Sequence, residues 1–329
     1  MDNLEIFVAT YKRPSIIKDT LENLLSQTAG GFLVTVLDNS STSETADIMP
    51  PFLKHGVKYV KTSPPDTPFV NFKAAQALAE REYIILFHDD DMLHPQFIER
   101  AGQIIKRFKD IDIITGKCSN FYDRQKRPFP PELSKQVILL ENKADTAAYF
   151  FAYGKGGANT PGTIYKTSYF KTADPLPQFH KNADWPFCIE AIKNGVCVIM
   201  DDNHAVHTRQ HAGQDSHAAE TNGSALNNLW AWFEYFAGIL RPADAKSPYY
   251  KMWRIYAYNL LKGMYNYLKP SEKEKMPWPE LLREAEKRNL LDGAAIKTGN
   301  YRKNLLTRLL TAPYRTLNKF KTRPVSIDK

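Results

Sequence analysis

Between residues 4 and 115 the chain alternates short, wholly apolar runs with amphipathic stretches, and nothing else in the sequence restricts its fold so tightly. Ile6-Phe7-Val8-Ala9, Leu33 to Leu37, Val57 to Val60, Tyr83 to Phe87 and Ile111 to Thr115 predict strands. Between them the pattern changes period. After Pro14, the apolar positions Ile17, Leu21, Leu24 and Leu25 recur at helical spacing. Ser43 to Lys54 predicts a short helix, and Ala-rich Asn71 to Glu80 another. Pro95 suits the first position of a helix reaching about Lys109. Strand-helix-strand alternation implies a mostly parallel sheet with helices on both faces.

In such sheets ligands bind at the carboxyl ends of the strands. The residues just past those ends are Thr10-Tyr11, Asp38-Asn39 and Asp89-Asp90-Asp91, so the topology predicts one polar and two acidic clusters along one edge. Three adjacent carboxylates repel one another and are costly without a cation. Oxygen donors of this kind suit Mg²⁺ or Mn²⁺, which complete their shells with water and phosphate oxygens. An acidic turn capping the helix after Pro95 fits the same spacing. Spacing alone leaves both readings standing.

The remainder is less periodic. Residues 117–180 hold a basic, Pro-rich segment (Arg124 to Pro131), an aromatic helical pattern over Ala144 to Tyr153, and Gly154-Lys155-Gly156-Gly157. Asp184 to Asn194 predicts a helix ending at Gly195, followed by a strand over Val196 to Met200. From Ala225 long aromatic helices take over, which places a domain boundary near 224: residues 1–224, then a helical region 225–329. Those aromatics (Trp230, Phe233, Phe236 and others) read as core and packing surface rather than as a ligand platform.

Three motifs carry a family resemblance. Val8-Ala9-Thr10-Tyr11-Lys12-Arg13, Leu37-Asp38-Asn39-Ser40-Ser41 and His88-Asp89-Asp90-Asp91-Met92-Leu93-His94-Pro95 resemble, in order and spacing, the N-terminal half of a family 2 glycosyltransferase of bacterial surface-polysaccharide type. The resemblance covers about residues 4–220. It implies a GT-A fold: a Rossmann-like, mostly parallel sheet flanked by helices, here with an α-helical C-terminal extension. It also implies an inverting sugar transfer from a nucleotide-diphosphate donor, with UDP the favoured nucleotide and Mn²⁺ or Mg²⁺ as cofactor.

By resemblance, Thr10, Tyr11, Arg13, Asp38 and Asn71 lie at the nucleotide, Asp89 or Asp90 at the ribose, and Asp91 with Asp89 at the metal. Arg13 as a solvated turn residue and Asn71 as a helix cap fit equally well. The family often has Asp where this chain has His88, which could shift the ribose and metal roles by one residue. The family's general base, the second acid of a pair opening a helix, matches Asp184, with Ala183 in place of the first acid; a helix cap before Pro186 is the alternative. Four histidines (His204, His207, His211, His217) crowd one stretch without a zinc-ligand spacing. Arg209-Gln210-His211 resembles the family's Arg-x-His loop, which assigns His211 rather than His207 to the metal or diphosphate.

Charge adds one feature. The chain carries +8 overall, and residues 296–329 alone hold nine basic residues against Asp328, so the body is neutral and the excess sits in the tail. Tyr301 to Ala312 sets Leu305, Leu306, Leu309 and Leu310 on one stripe beside Arg302, Lys303 and Arg308. Such a helix suits an anionic membrane surface, though docking on the body explains the stripe as well. A neutral body excludes a nucleic-acid binder. Three scattered cysteines, no apolar run near the roughly 20 residues of a bilayer span, and an opening Met-Asp-Asn-Leu-Glu without a secretion signal lead to an expected place in the cytoplasm, peripheral on the inner membrane face. The expected partners are a sugar nucleotide and a saccharide or lipid-linked saccharide acceptor. The rivals are a non-catalytic sugar-nucleotide or polysaccharide-binding scaffold and a sugar nucleotidyltransferase. The latter usually opens with a Gly-rich loop, which Thr10-Tyr11-Lys12-Arg13-Pro14 lacks.

Overall fold

The computed structural model of the protein describes residues 1–67, 69–108, 110–122, 128–141, 160–176, 179, 183–211, 225–246, 248–291 and 325–327. The helix expected at Ala144–Tyr153, the Gly154–Gly157 turn, His217 and the amphipathic stretch from Tyr301 lie outside these residues. The chain forms two compact units, Met1–Asn142 with Lys155–His211 and Pro324–Lys329, and Ala212–Arg323 with Lys143–Gly154.

The first unit opens with β1 (Leu4–Thr10), α1 (Pro14–Leu25) and β2 (Leu33–Asp38). Next come α2 (Glu44–Ile48), α3 (Pro50–Leu53), β3 (Lys58–Lys61), α4 (Val70–Leu78) and β4 (Tyr83–His88). The helix expected over Ser43–Lys54 is thus two short ones. Pro50 and Pro51 supply no N–H to continue the first, so the helix restarts. β5 (Met92–Leu93), α5 (Phe97–Arg107), β6 (Ile113–Gly116), β7 (Cys118–Tyr122) and β8 (Gln136–Leu140) follow. α5 starts two residues after Pro95, because His94 folds a turn first: Phe97 N–H donates to the His94 carbonyl and Gln96 N–H to His94 Nδ1. The unit ends with β9 (Ile164–Lys166), α6 (Thr167–Thr172), α7 (Asp184–Asn194), β10 (Cys197–Met200), β11 (Val206–Gln210) and, far along the chain, β12 (Val325–Ser326).

Nine strands form one sheet in the order β12-β8-β10-β6-β9-β4-β1-β2-β3. The β4-β1-β2-β3 half is parallel throughout, as the alternation dictates. β9 then enters antiparallel between β4 and β6, β10 runs parallel to β6, and β8 and β12 pair antiparallel at the far edge. A small sheet, β5-β11-β7, sets Val206 against Leu93 and Arg209 against Phe121.

Residues 4, 6 and 8 of β1 join one core with Ile17, Leu21 and Leu24 of α1 and Phe97, Ile98 and Ala101 of α5. Each such side chain removed from water contributes about 1.5–3 kcal/mol. On α4, Phe72 packs with Phe170 and Phe187 at 4.7 and 5.1 Å between ring centroids, which ties α4, α6 and α7 together. The registers Thr10–Asp38 and Ala9–His88 make β1, β2 and β4 end flush, and this alignment builds the site.

The second unit contains α8 (Ala225–Leu240), α9 (Pro248–Tyr267), α10 (Pro270–Lys275) and α11 (Trp278–Lys287). Phe233, Phe236, Trp253 and Tyr258 are buried, so these aromatics do form core. Trp278 lies against Tyr258 and Tyr265. Arg288 bridges Glu234 and Glu284 at 2.8 and 2.9 Å. No helix among the described residues is long and apolar enough to cross a membrane.

Candidate active site

Two polar stations occupy the flush edge. At the first, Asp38 ends β2 with no exposed surface. Its Oδ1 accepts from the Ser40 N–H and hydroxyl at 2.9 and 2.5 Å, and its Oδ2 from Tyr59 Oη at 2.7 Å and Lys61 Nζ at 3.0 Å. Burial pushes this carboxyl upward, but the bonds from Ser40, Tyr59 and Lys61 outweigh it and leave Asp38 below the usual carboxylate range. Asp38 was expected to contact a nucleotide base; both its oxygens accept from protein groups, and these bonds fix the strand end. Asn71, in the first turn of α4, donates to Asn39 Oδ1 at 3.1 Å and accepts from Thr62 at 2.7 Å. Tyr11 is 38% exposed, with Lys12 Nζ 4.8 Å above its ring and Lys12 paired to Asp66 at 3.3 Å.

At the second station Asp89, Asp90 and Asp91 follow β4, only 3%, 7% and 3% exposed. They are not a surface turn. Thr20 of α1 donates to the Asp89 carbonyl at 2.7 Å and lies 3.2 Å from that of Asp91, holding the turn in place. Thr10 donates to Asp89 Oδ2 at 2.7 Å. Arg13, where α1 begins, reaches Asp89 Oδ1 at 3.0 Å and Asp90 Oδ2 at 3.4 Å through one guanidinium nitrogen. His211 Nε2 lies 3.1 Å from Asp90 Oδ2, and His88 Nδ1 3.4 Å from Asp91 Oδ2. The Arg209 N–H donates to Asp91 Oδ1 at 3.1 Å, while its guanidinium bridges to Asp19 at 2.8 Å.

Burial raises Asp89 to about 6, against the attraction of Arg13, and Asp90 beside it adds to the rise. Burial likewise raises Asp91, with His88 pulling the other way.

Among the described residues one group of three metal-ligating side chains comes together: His88, Asp90 and Asp91, with donor atoms within 4.8 Å of one another. Asp89, expected among the metal ligands, lies outside this group, with its oxygens accepting from Thr10 and Arg13. One imidazole nitrogen and two carboxylates are a donor set that fits a divalent cation. His211 meets the cluster at Asp90. His207 does not: it is buried, stacked on Phe129 at 3.9 Å and facing His204 at 3.3 Å. Asp184 opens α7, as the sequence predicts.

The structure therefore brings Thr10, Arg13, Asp89, Asp90, Asp91 and His211 together, with Asp38 and Asn71 at the neighbouring strand end. Sequence reasoning missed Thr20, Tyr59 and Lys61, and quoted Arg209 in the Arg-x-His motif without giving it a contact. Thr20 had a signal, a polar residue inside the apolar stripe of Ile17, Leu21 and Leu24. The others are brought in by strand pairing.

The sequence pattern of Glycosyl transferase family 2 matches residues 5–166. No curated protein matches the chain significantly. Among solved structures, S. aureus TarS 1-349 in complex with UDP-GlcNAc is similar at 16% identity and a TM-score of 0.56, with 97% of this chain and 91% of that one covered. The UDP complex of S. aureus TarS 1-349 gives 15%, 0.59, 95% and 91%. The mannosyltransferase PcManGT from Pyrobaculum calidifontis, in complex with GDP-Man and Mn²⁺, gives 11%, 0.50, 97% and 87%. At these identities the likeness establishes the fold, an α/β architecture of GT-A type.

Proposed function

Residues 5–166 are a family 2 glycosyltransferase domain and the chain is a glycosyltransferase, and from that premise we propose that it transfers a sugar with inversion from a UDP-sugar to a saccharide acceptor in surface-polysaccharide synthesis. The observation that carries the reading is the cluster of His88, Asp90 and Asp91 at the flush edge, its two carboxylates buried, an acid excess that a bound cation would balance. A sugar nucleotidyltransferase and a binding scaffold are both set aside by the family.

His88, Asp90 and Asp91 would hold the cation, and the imidazole donor favours Mn²⁺ over Mg²⁺. Such an ion neutralises the charge that develops on the departing diphosphate. The chain's own residues do the rest. Thr10 and Arg13 fix Asp89 beside the donor, and His211 and Arg13 are positioned for phosphate oxygens. Asn71 orders Asn39, and Asp38 orders Tyr59 and Lys61, so the nucleotide end is framed by prearranged groups. Tyr11 offers an exposed ring there.

Asp184 takes the proton of the acceptor hydroxyl. Its helix supports this in two ways. The N-terminal dipole of α7 favours a charged carboxylate, and Phe187, within the first turn of α7, packs on Phe72, the neighbour of Asn71. Residues 1–224 would carry the transfer, and the basic tail of 225–329 would rest on an anionic membrane where a lipid-linked acceptor is assembled. The neutral body and +8 tail support that reading.

Titration calorimetry of UDP and of GDP, each with and without Mn²⁺, tests the donor site. Metal-dependent UDP binding that Asp91→Ala abolishes is the expected result. Absence of binding by either nucleotide under both conditions would overturn it.

A further inference from the structure

The acidic triple has a resident counter-ion. One nitrogen of Arg13 bridges Asp89 and Asp90 at 3.0 and 3.4 Å, and Asp90 is also one of the three groups that come together as a cation cluster. A guanidinium and a divalent cation on the same nearly dry carboxylate are like charges within a few ångströms, with little water to screen them. We propose that Arg13 is the residue that couples metal and donor binding: it occupies Asp90 until a diphosphate arrives, then transfers its outer hydrogen bond to the phosphate oxygens and leaves Asp90 to the cation.

Three features of the site carry this. The Asp90 contact is the longer of the two, so the guanidinium releases it more readily than Asp89. The Arg13 backbone stays fixed during the exchange, since its carbonyl accepts from the Ile16 and Ile17 N–H groups at 3.1 Å each. Arginine also pairs with phosphate in the same forked geometry as with carboxylate, so the exchange replaces one charged partner by another. His211 Nε2 lies 3.1 Å from the same Asp90 oxygen, a second group that a lone cation would have to displace.

Coupling of this kind is reciprocal: whatever factor the diphosphate adds to metal affinity, the metal adds to diphosphate affinity. The inference rests on the donor-site reading above. Its test is Mn²⁺ titration of the full-length protein, followed by electron paramagnetic resonance of the free ion, with and without UDP. Wild type is expected to bind Mn²⁺ poorly alone and about 5–150-fold more tightly with UDP. In Arg13→Gln, Mn²⁺ alone should bind about tenfold more tightly, and the enhancement by UDP should collapse. Arg13→Lys, whose ammonium reaches less far and cannot pair with phosphate in a fork, should fall between; it serves as well if Arg13→Gln does not fold. Equal Mn²⁺ affinity and equal UDP enhancement in wild type and variants would overturn the inference while leaving the donor site intact. No Mn²⁺ binding by any form, with or without UDP, would overturn both.

Discussion

Asp38 and the Asp89–Asp91 triple lie at the ends of two strands that flank β1 in the same sheet, equally withdrawn from solvent, and their acidities move in opposite directions. Asp38 is held below its ordinary range, while Asp89 and Asp91 are pushed above theirs. Burial acts the same way on all three. What differs is the supply of donors. One carboxylate at β2 takes four hydrogen bonds, one of them from a lysine. Three carboxylates after β4 share one bridging guanidinium, two imidazoles, a hydroxyl and a backbone N–H. A buried acid satisfied by its own protein is architecture. A buried acid left short of positive charge is a site that favours a cation.

The largest expected effect separates these two roles by activity. Asp91→Asn should lower transfer about a thousandfold, the scale of losing a group aimed at developing charge. It should leave thermal stability equal or higher, because it removes a desolvated charge. A variant that loses its activity together with its fold would place Asp91 with Asp38 as architecture.

Acid titration sharpens the same contrast in protein kept free of divalent ions. Asp89 titrates near 6 in the folded state against 3.8 as the ordinary value. Between those values the folded chain keeps a proton that the unfolded chain releases, so stability is fully present below pH 3.8 and falls as pH rises through about 6. The full drop is about 3 kcal/mol. Urea denaturation from pH 4 to 7 should show that slope in wild type and a flatter one in Asp89→Asn; parallel curves would refute the assignment. Asp38 predicts the reverse sign: its contribution is present above 3.8 and is lost as pH falls below that value.

Substituting Asp38 tests the architecture directly. Asp38→Asn exchanges an acceptor of four bonds for an amide with a single carbonyl oxygen, so either the two Ser40 donors or Tyr59 and Lys61 together lose this acceptor. A cost of about 2 kcal/mol is expected in chemical denaturation, with weaker donor affinity as the strand end loosens. Unchanged stability would mean that the four bonds hold nothing in place.

The sequence exposed the first station's strand and the second's charge for one physical reason: a strand buried on both faces must be apolar throughout, so the first polar residue after it marks the edge. Thr10, Asp38 and His88, with Asp89 next to it, were legible in this way. The donors to Asp38 were not, because Tyr59 and Lys61 arrive through the register of β3 against β2, and a register is no property of either run alone. β8, β9 and β12 are two to five residues long and pair antiparallel with strands distant in the chain, so they gave no period to read. Residues 325–327 looked like the end of a basic tail; instead Val325 pairs with Val137 at the edge of the sheet. Asp184 needed only a helix start, and the span Asp184–Asn194 was legible to the residue. Its role came from family resemblance.

The smallest expected effect concerns what holds the triple still. Thr20 has no exposed surface and sits in the apolar stripe of α1, where valine would pack as well. Its hydroxyl bonds the Asp89 carbonyl and approaches that of Asp91, so it acts on the turn's backbone and not on its charge. Thr20→Val should therefore cost about 1 kcal/mol of stability, the worth of a neutral hydrogen bond. The more telling readout is Mn²⁺ affinity in the presence of UDP. If the turn is held in place chiefly by repulsion balanced against Arg13 and the histidines, the loss of one backbone tether should leave that affinity within about threefold. If the tether sets the spacing of Asp90 and Asp91, affinity should fall about tenfold or more while the acidities stay as they are. The second result is the one expected here, because the ion-pair contacts to the cluster run from 3.0 to 3.4 Å while the tether to Asp89 is 2.7 Å.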